Sequence, residues 1–203
     1  FSSLLGEIML AVLVFVGNVV FMQYLGDDGV GAFGIVCYYT PFIFTLGNSI
    51  VQSVQPIVSY SYGNGAYDRV RKARSLMMRV SVLLGLGVTL VFVLFPEMLV
   101  ALFIDISSKA GVLAVKGMPL FASGFVFFVI NICVVGYYQS VERTVPSTIV
   151  MLLRGVVLLL PCFLFLPQFI GEDGIWLATP LAELVTTMMI VMYLLCKKIW
   201  RFR

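Results

Sequence analysis

VPSTIVMLLRGVVLLLPCFLFLPQFIGEDGIWLATPLAELVTTMMIVMYLLC, residues 145–196, carries the architecture in miniature. It holds two apolar runs, Val145–Leu166 and Ile175–Cys196, parted by a short stretch from Pro167 to Gly174. Each run meets the roughly 20 apolar residues that a helix needs to cross a bilayer. The Gly171-Glu172-Asp173-Gly174 segment between them has turn chemistry. Hydrocarbon offers an open backbone no hydrogen-bond partner, so the pair reads as a helical hairpin that crosses and returns.

Working outward, four more runs of this kind appear: Ser3–Leu25, Val30–Tyr60, Leu76–Phe95 and Met118–Gln139. Gly26-Asp27-Asp28-Gly29, Gly63-Asn64-Gly65, Pro96 and Pro146 punctuate them. The second run is too long for one straight crossing, so it tilts or breaks at Pro41 or Pro56. Composition agrees with lipid as the main solvent. Apolar residues make up 61% of the 203, charged residues only 11%, and mean hydropathy is +1.08. So little polar surface could not cover a water-soluble core. The fold class is therefore all-α integral membrane, with six transmembrane helices in one bundle spanning residues 1–203.

Charge placement gives direction. Arg69, Arg71, Lys72, Arg74 and Arg79 follow the second run, Arg143 follows the fourth, and Lys197, Lys198, Arg201 and Arg203 close the chain. The other side has Lys109 and Lys116 beside Asp27, Asp28, Glu97, Asp105, Glu172 and Asp173. The positive-inside rule then puts the C-terminus in the cytoplasm. Trp176 and Trp200 are expected to mark the two interfaces of the last span. Between Pro96 and Val115 a short surface helix fits, with Met98, Leu99, Leu102 and Phe103 on the headgroups. The chain opens on Phe1 within an apolar run, without a signal-peptide pattern, and is expected to lack an N-terminal part.

Histidine is absent, and Cys37, Cys133, Cys162 and Cys196 each stand alone in apolar surroundings. No zinc or haem ligand spacing exists, and no cofactor is expected. A membrane-embedded enzyme would need a nucleophile–base, metal or paired-aspartate constellation within the spans, and none is present. No nucleic-acid partner is expected either.

Polar side chains at bilayer depth are costly unless they face protein or water. Asn48, Gln52, Gln55 and Ser59 recur at helical spacing along one face of the second span. Pro56 removes the donor that would otherwise reach the Gln52 carbonyl. The stripe reads either as the lining of a hydrated cavity or as hydrogen-bonding glue between helices. Glu7 and Asn18 share a face of the first span. Glu7 is a candidate for cation coupling, or else sits at headgroup level. Asn131, Tyr138 and Gln139 stack on the fourth span, where Tyr137 and Tyr138 are also candidates for interfacial anchors. Arg154 and Glu183 lie at depths differing by only about 5 Å by helix rise. They read as an ion pair that lets both helices insert. Thr179, Thr186 and Thr187 share the Glu183 face, leaving a polar pathway through Glu183 as the alternative.

Three stretches resemble one family. Gln52–Ala73, QSVQPIVSYSYGNGAYDRVRKA, is similar to the Gln-Pro helix end, Tyr-Gly turn and basic loop of multidrug and toxic compound extrusion (MATE) transporters. QSVERTVP (139–146) resembles the loop after that family's tenth helix, and GIWLATPLAE (174–183) the start of its twelfth. The resemblance implies the C-terminal six-helix lobe of a twelve-helix, two-lobe transporter. It further implies a Na+- or H+-coupled antiporter of the cell inner membrane, exporting xenobiotic, cationic or amphipathic compounds by alternating access with an N-terminal lobe. Asn18, Asn48, Gln52, Gln55, Asn131, Tyr138 and Gln139 are the candidate substrate-lining residues, and Glu7 and Glu183 the candidate coupling carboxylates. Some sodium-coupled members carry an aspartate on the tenth helix, whereas Met118–Gln139 has no acidic residue. A lipid-linked oligosaccharide flippase of the same superfamily is the alternative. Such a protein lines its cavity with several cations to hold pyrophosphate, and here only Arg154 is available.

Overall fold

Gly26 is where the chain first turns back. The computed structural model describes residues 2–197, with side chains from 7 to 196. Its first helical element, α1 (Ser2–Gly63), is two helices joined at Gly26, whose φ of 65° and ψ of −158° leave the helical region. A side chain is all but forbidden in that conformation, so glycine can reverse the chain in one residue. Phe21 stacks on Phe33 with ring centroids 4.3 Å apart. A Cβ on Gly17 would collide with the Phe33 ring. In a straight helix those positions would lie about 24 Å apart. The arms 2–25 and 27–63 thus form an antiparallel hairpin.

Helix α2 (Tyr67–Leu94) follows a tight turn at Gly65, which has a φ of 70°. Short α3 (Pro96–Ala101) leads to α4 (Lys109–Ala122), and α5 (Phe125–Ser140) continues after a bend of 48°. Two packing events favour the bend. A Cβ on Gly124 would lie 2.6 Å from the Pro180 Cα, and Thr89 Oγ1 donates to the Ala122 carbonyl at 3.2 Å. Next come α6 (Thr144–Leu152), a π-helical turn (Leu153–Val157) and α7 (Leu159–Ile170). Gly171, φ 69° and ψ −144°, turns the chain into α8 (Glu172–Lys197).

Four helices among the described residues are long and apolar enough to cross a bilayer, and the bent α4–α5 pair makes a fifth. Splitting α1 at Gly26 makes six crossings. Leu83, Leu86, Leu90 and Leu94 along α2, and many side chains like them, are exposed on the outer face of the bundle. The chain is a multi-pass α-helical membrane protein.

The core lies where α5 meets both neighbours. Gly47 faces Ile132, Gly136 receives Val51, and Gly85 sits against the Val126 backbone, where a Cβ would stand 2.7 Å from Cα. Small residues let membrane helices approach closely enough for dispersion to hold them.

Several expectations change. The turn at Gly26 falls within the expected Gly26–Gly29 punctuation, but the second run does not break, since α1 continues through both Pro41 and Pro56. Past Pro41 a ladder of hydroxyls bonds back one turn. Thr45 donates to the Pro41 carbonyl, Ser49 to that of Thr45 and Ser53 to that of Ser49, at 2.8–2.9 Å. Trp176 is no lipid-facing anchor. It is 2% exposed, edge-on to Phe21 at 4.6 Å, and fills the space that Gly117 leaves. Trp200, Lys198, Arg201 and Arg203 lie outside the described residues, as does the side chain of Lys197. Tyr137 and Tyr138 are both buried, with the Arg74 guanidinium 5.5 Å from the Tyr137 ring centre. On α3 and just beyond, Met98, Leu102 and Phe103 are exposed, while the Leu99 carbonyl accepts the Tyr39 hydroxyl at 2.9 Å. In the loop that follows, the Ser107 N–H and hydroxyl both donate to Asp105, holding its carboxyl below the usual range.

Candidate functional site

Between the two arms of α1, α5, the π turn and α8 lies a cavity of about 340 Å³. Asn48, Gln52 and Gln55 line it from one side, with Gln139 on α5. Their shared face follows from i, i+4, i+7 spacing on an α-helix. Glu7, Arg154, Thr179 and Glu183 line it as well. Leu13, Phe44, Phe128, Ile132 and Met151 supply apolar walls. Few polar groups within a greasy shell is the usual make-up of a small-molecule site.

The densest polar contact is in the wall between the π turn, α5 and α8. Arg154 donates through Nε and Nη2 to Glu183 Oε1, at 3.0 and 2.7 Å. Asn131 Nδ2 donates to Glu183 Oε2 at 2.7 Å and to the Glu183 carbonyl at 3.1 Å. Thr187 Oγ1 lies 3.1 Å from Asn131 Oδ1 and 3.0 Å from the Glu183 carbonyl. Beneath the guanidinium is the Phe128 ring, 4.5 Å from Cζ to centroid. Only 12% of the Arg154 side chain and 6% of the Glu183 side chain are exposed. A pair so dry persists only with its remaining hydrogen bonds satisfied, which is what Asn131 does.

Local backbone explains how Arg154 gets there. The Leu158 N–H bonds to the Leu153 carbonyl at 2.8 Å, the i to i+5 pattern of a π turn. Such a turn holds one residue more than an α turn and re-aims the side chains within it. Gly155 then admits Met9 of the first span, where a Cβ would collide.

Of the sequence candidates, Glu7, Asn48, Gln52, Gln55, Gln139, Arg154 and Glu183 come together around this cavity. Asn18, Asn131 and Tyr138 fall outside its lining. Asn18 is half-buried elsewhere on the first span. Asn131 is wholly buried, its amide spent on Glu183. Tyr138 packs beside Tyr137 in the core, ring centroids 5.8 Å apart. Thr186 bonds back to the Ala182 carbonyl at 2.8 Å. Phe128 was missed. Its one signal was lying three residues before Asn131, hence on the same helix face.

A six-crossing bundle with a mixed polar and apolar cavity at bilayer depth has the build of a membrane transporter lobe. The MatE family model matches residues 3–164. The chain belongs to the MATE family of transporters. Comparison with curated protein sequences gives no match. Among solved structures, a MOP superfamily transporter from Pyrococcus furiosus superposes with a TM-score of 0.86 at 14% identity, covering 95% of this chain and 43% of that one. An outward-facing multidrug resistance MATE family transporter gives 0.84 at 15% identity, over 93% and 42%. The MATE multidrug transporter DinF-BH, in complex with R6G, gives 0.73 at 30% identity, over 87% and 40%. The chain thus spans about two fifths of the structures that it matches.

Proposed function

We propose that the chain works as the C-terminal six-helix lobe of a cation-coupled antiporter that expels cationic or amphipathic organic compounds across the cytoplasmic membrane. The observation that carries this reading is the cavity in which Asn48, Gln52 and Gln55 face a buried ion pair among apolar walls. Amide side chains there offer donors and acceptors without a fixed charge, which suits varied ligands. In this reading the cavity opens toward a second lobe, the two rock about it, and the basic connections and the C-terminus face the cytoplasm. Sodium or a proton drives the exchange, with Glu7 and Glu183 as the carboxylates available in this lobe.

The flippase alternative draws less support. Pyrophosphate would need free cations, and Arg154 is already engaged by Glu183. Expressing the complete gene in efflux-deficient cells tests the reading, with retention of R6G as the readout. Export should fall when Gln52 and Gln55 are both changed to Ala. Equal export by wild type and double variant removes these residues from the site, and no export by the wild type removes the function.

A further inference from the structure

Arg154 sits in the cavity wall as a ligand would. Its guanidinium is held by a carboxylate oxygen of Glu183 and lies over the Phe128 ring, while Asn131 braces the other oxygen. A carboxylate, an aromatic face and a bracing amide are the parts of a receptor for an organic cation. Two further observations bear on the same place. Thr179, one helical turn before Glu183, lines the cavity, is 8% exposed, and has a hydroxyl with no partner. Buried hydroxyls in folded proteins are nearly always satisfied, so this one lacks a group that is not part of the wall. The lining also holds two carboxylates, Glu7 and Glu183, against one guanidinium, Arg154. Carboxyl groups thus outnumber the guanidinium in the lining, which leaves an acidic group for a cationic guest.

We propose that Arg154 is a tethered stand-in for the exported cation. Glu183, Phe128 and Thr179 form the binding site, which the protein's own guanidinium occupies between cargoes and which the cargo takes by displacing it. This rests on the export reading and says where the cation of that reading binds. The physics calls for such a stand-in, because a bare carboxylate at this depth would be too costly to leave unpaired. The freed guanidinium stays in the same cavity, where Glu7 offers it a second carboxylate. Displacement also discriminates. A neutral molecule cannot replace the charge that it removes, whereas a flat or aromatic cation satisfies Glu183 and Phe128 together.

An internal competitor lowers apparent affinity by the fraction of time that it vacates the site, so removing it should tighten binding. The test is tetraphenylphosphonium binding to the complete gene product in proteoliposomes. Arg154→Met should lower Kd by about tenfold or more, the tethered competitor having been removed. Glu183→Gln should abolish the gain when added to Arg154→Met. A purely structural pair predicts weaker binding, or none, from Arg154→Met, and unchanged or weaker binding overturns the proposal. So does tightening for sodium but not for tetraphenylphosphonium. Should Arg154→Met fail to insert, Arg154→Lys keeps a tethered charge without the two-pronged hold, and it should shift Kd the same way by less. No shift overturns the proposal there. A wild type that neither binds nor exports any organic cation is the distinct outcome that sinks the export reading itself.

Discussion

The first and last helical hairpins turn on the same device and are held in opposite ways. Gly26 and Gly171 have almost the same backbone conformation, φ 65° and 69° with ψ −158° and −144°. Each reverses the chain in one residue that almost no side chain could occupy. Beyond the turn they diverge. The first hairpin closes, next to its turn, on stacked Phe21 and Phe33, a non-polar contact. The last closes on Arg154 and Glu183, an ion pair in a nearly dry wall. Aromatic stacking tolerates small losses gradually, because its energy is a sum of many weak contacts. An ion pair there does not, since losing either partner strands a charge. Similar turns therefore support one hairpin built for packing and one poised on a charge.

The sharpest break of this contrast is Glu183→Ala with Arg154 retained. Stranding the guanidinium should destabilise the complete gene product by about 3–5 kcal/mol, and joint replacement by Arg154→Met and Glu183→Leu should recover most of that. Thermal unfolding in detergent reads both. An effect of Glu183→Ala no larger than that of Phe33→Leu would erase the distinction between the hairpins. Gly117→Val comes next. It drives a side chain into Trp176, which touches Phe21 of the first hairpin and belongs to α8 of the last. Overpacking of this kind costs about 1–3 kcal/mol, and it should loosen both hairpins together, as hydrogen exchange on 2–63 and 144–197 would show. The last comparison, in which what counts is the difference between two effects and not their size, tests the shared turn. Gly26→Ala and Gly171→Ala meet no atom within 4 Å, so only backbone strain is at stake. Each should cost about 1–3 kcal/mol and the two should agree closely. Unequal shifts in melting temperature would show that the turns differ in more than their dihedral angles.

Much of this was legible in the sequence, for reasons that differ by residue. Six apolar runs mark six crossings because hydrocarbon forces length and composition together. The depths of Arg154 and Glu183 follow from counting outward from Pro167–Gly174, since an α-helix rises by a fixed step. Asn48, Gln52 and Gln55 fall on one face by periodicity alone. What stayed hidden depends on tertiary packing. Nothing near Leu153–Val157 announces a π turn, which arises where Met9 packs against Gly155. The bend at Ser123–Gly124 needs Pro180 from another helix. Trp176 looks interfacial from its place near a helix start, and only the gap left by Gly117, some sixty residues away, draws it inward. Proline is a helix breaker in general, yet α1 continues through Pro41 and Pro56.

The hydroxyl ladder at Thr45, Ser49 and Ser53 has a consequence for how this surface meets its surroundings. Each proton is spent on the helix that bears it, so the exposed stripe asks nothing of whatever lies alongside. Such a rail is amphibious. Acyl chains, water or a sliding protein neighbour can replace one another along it without any of those bonds being broken and remade.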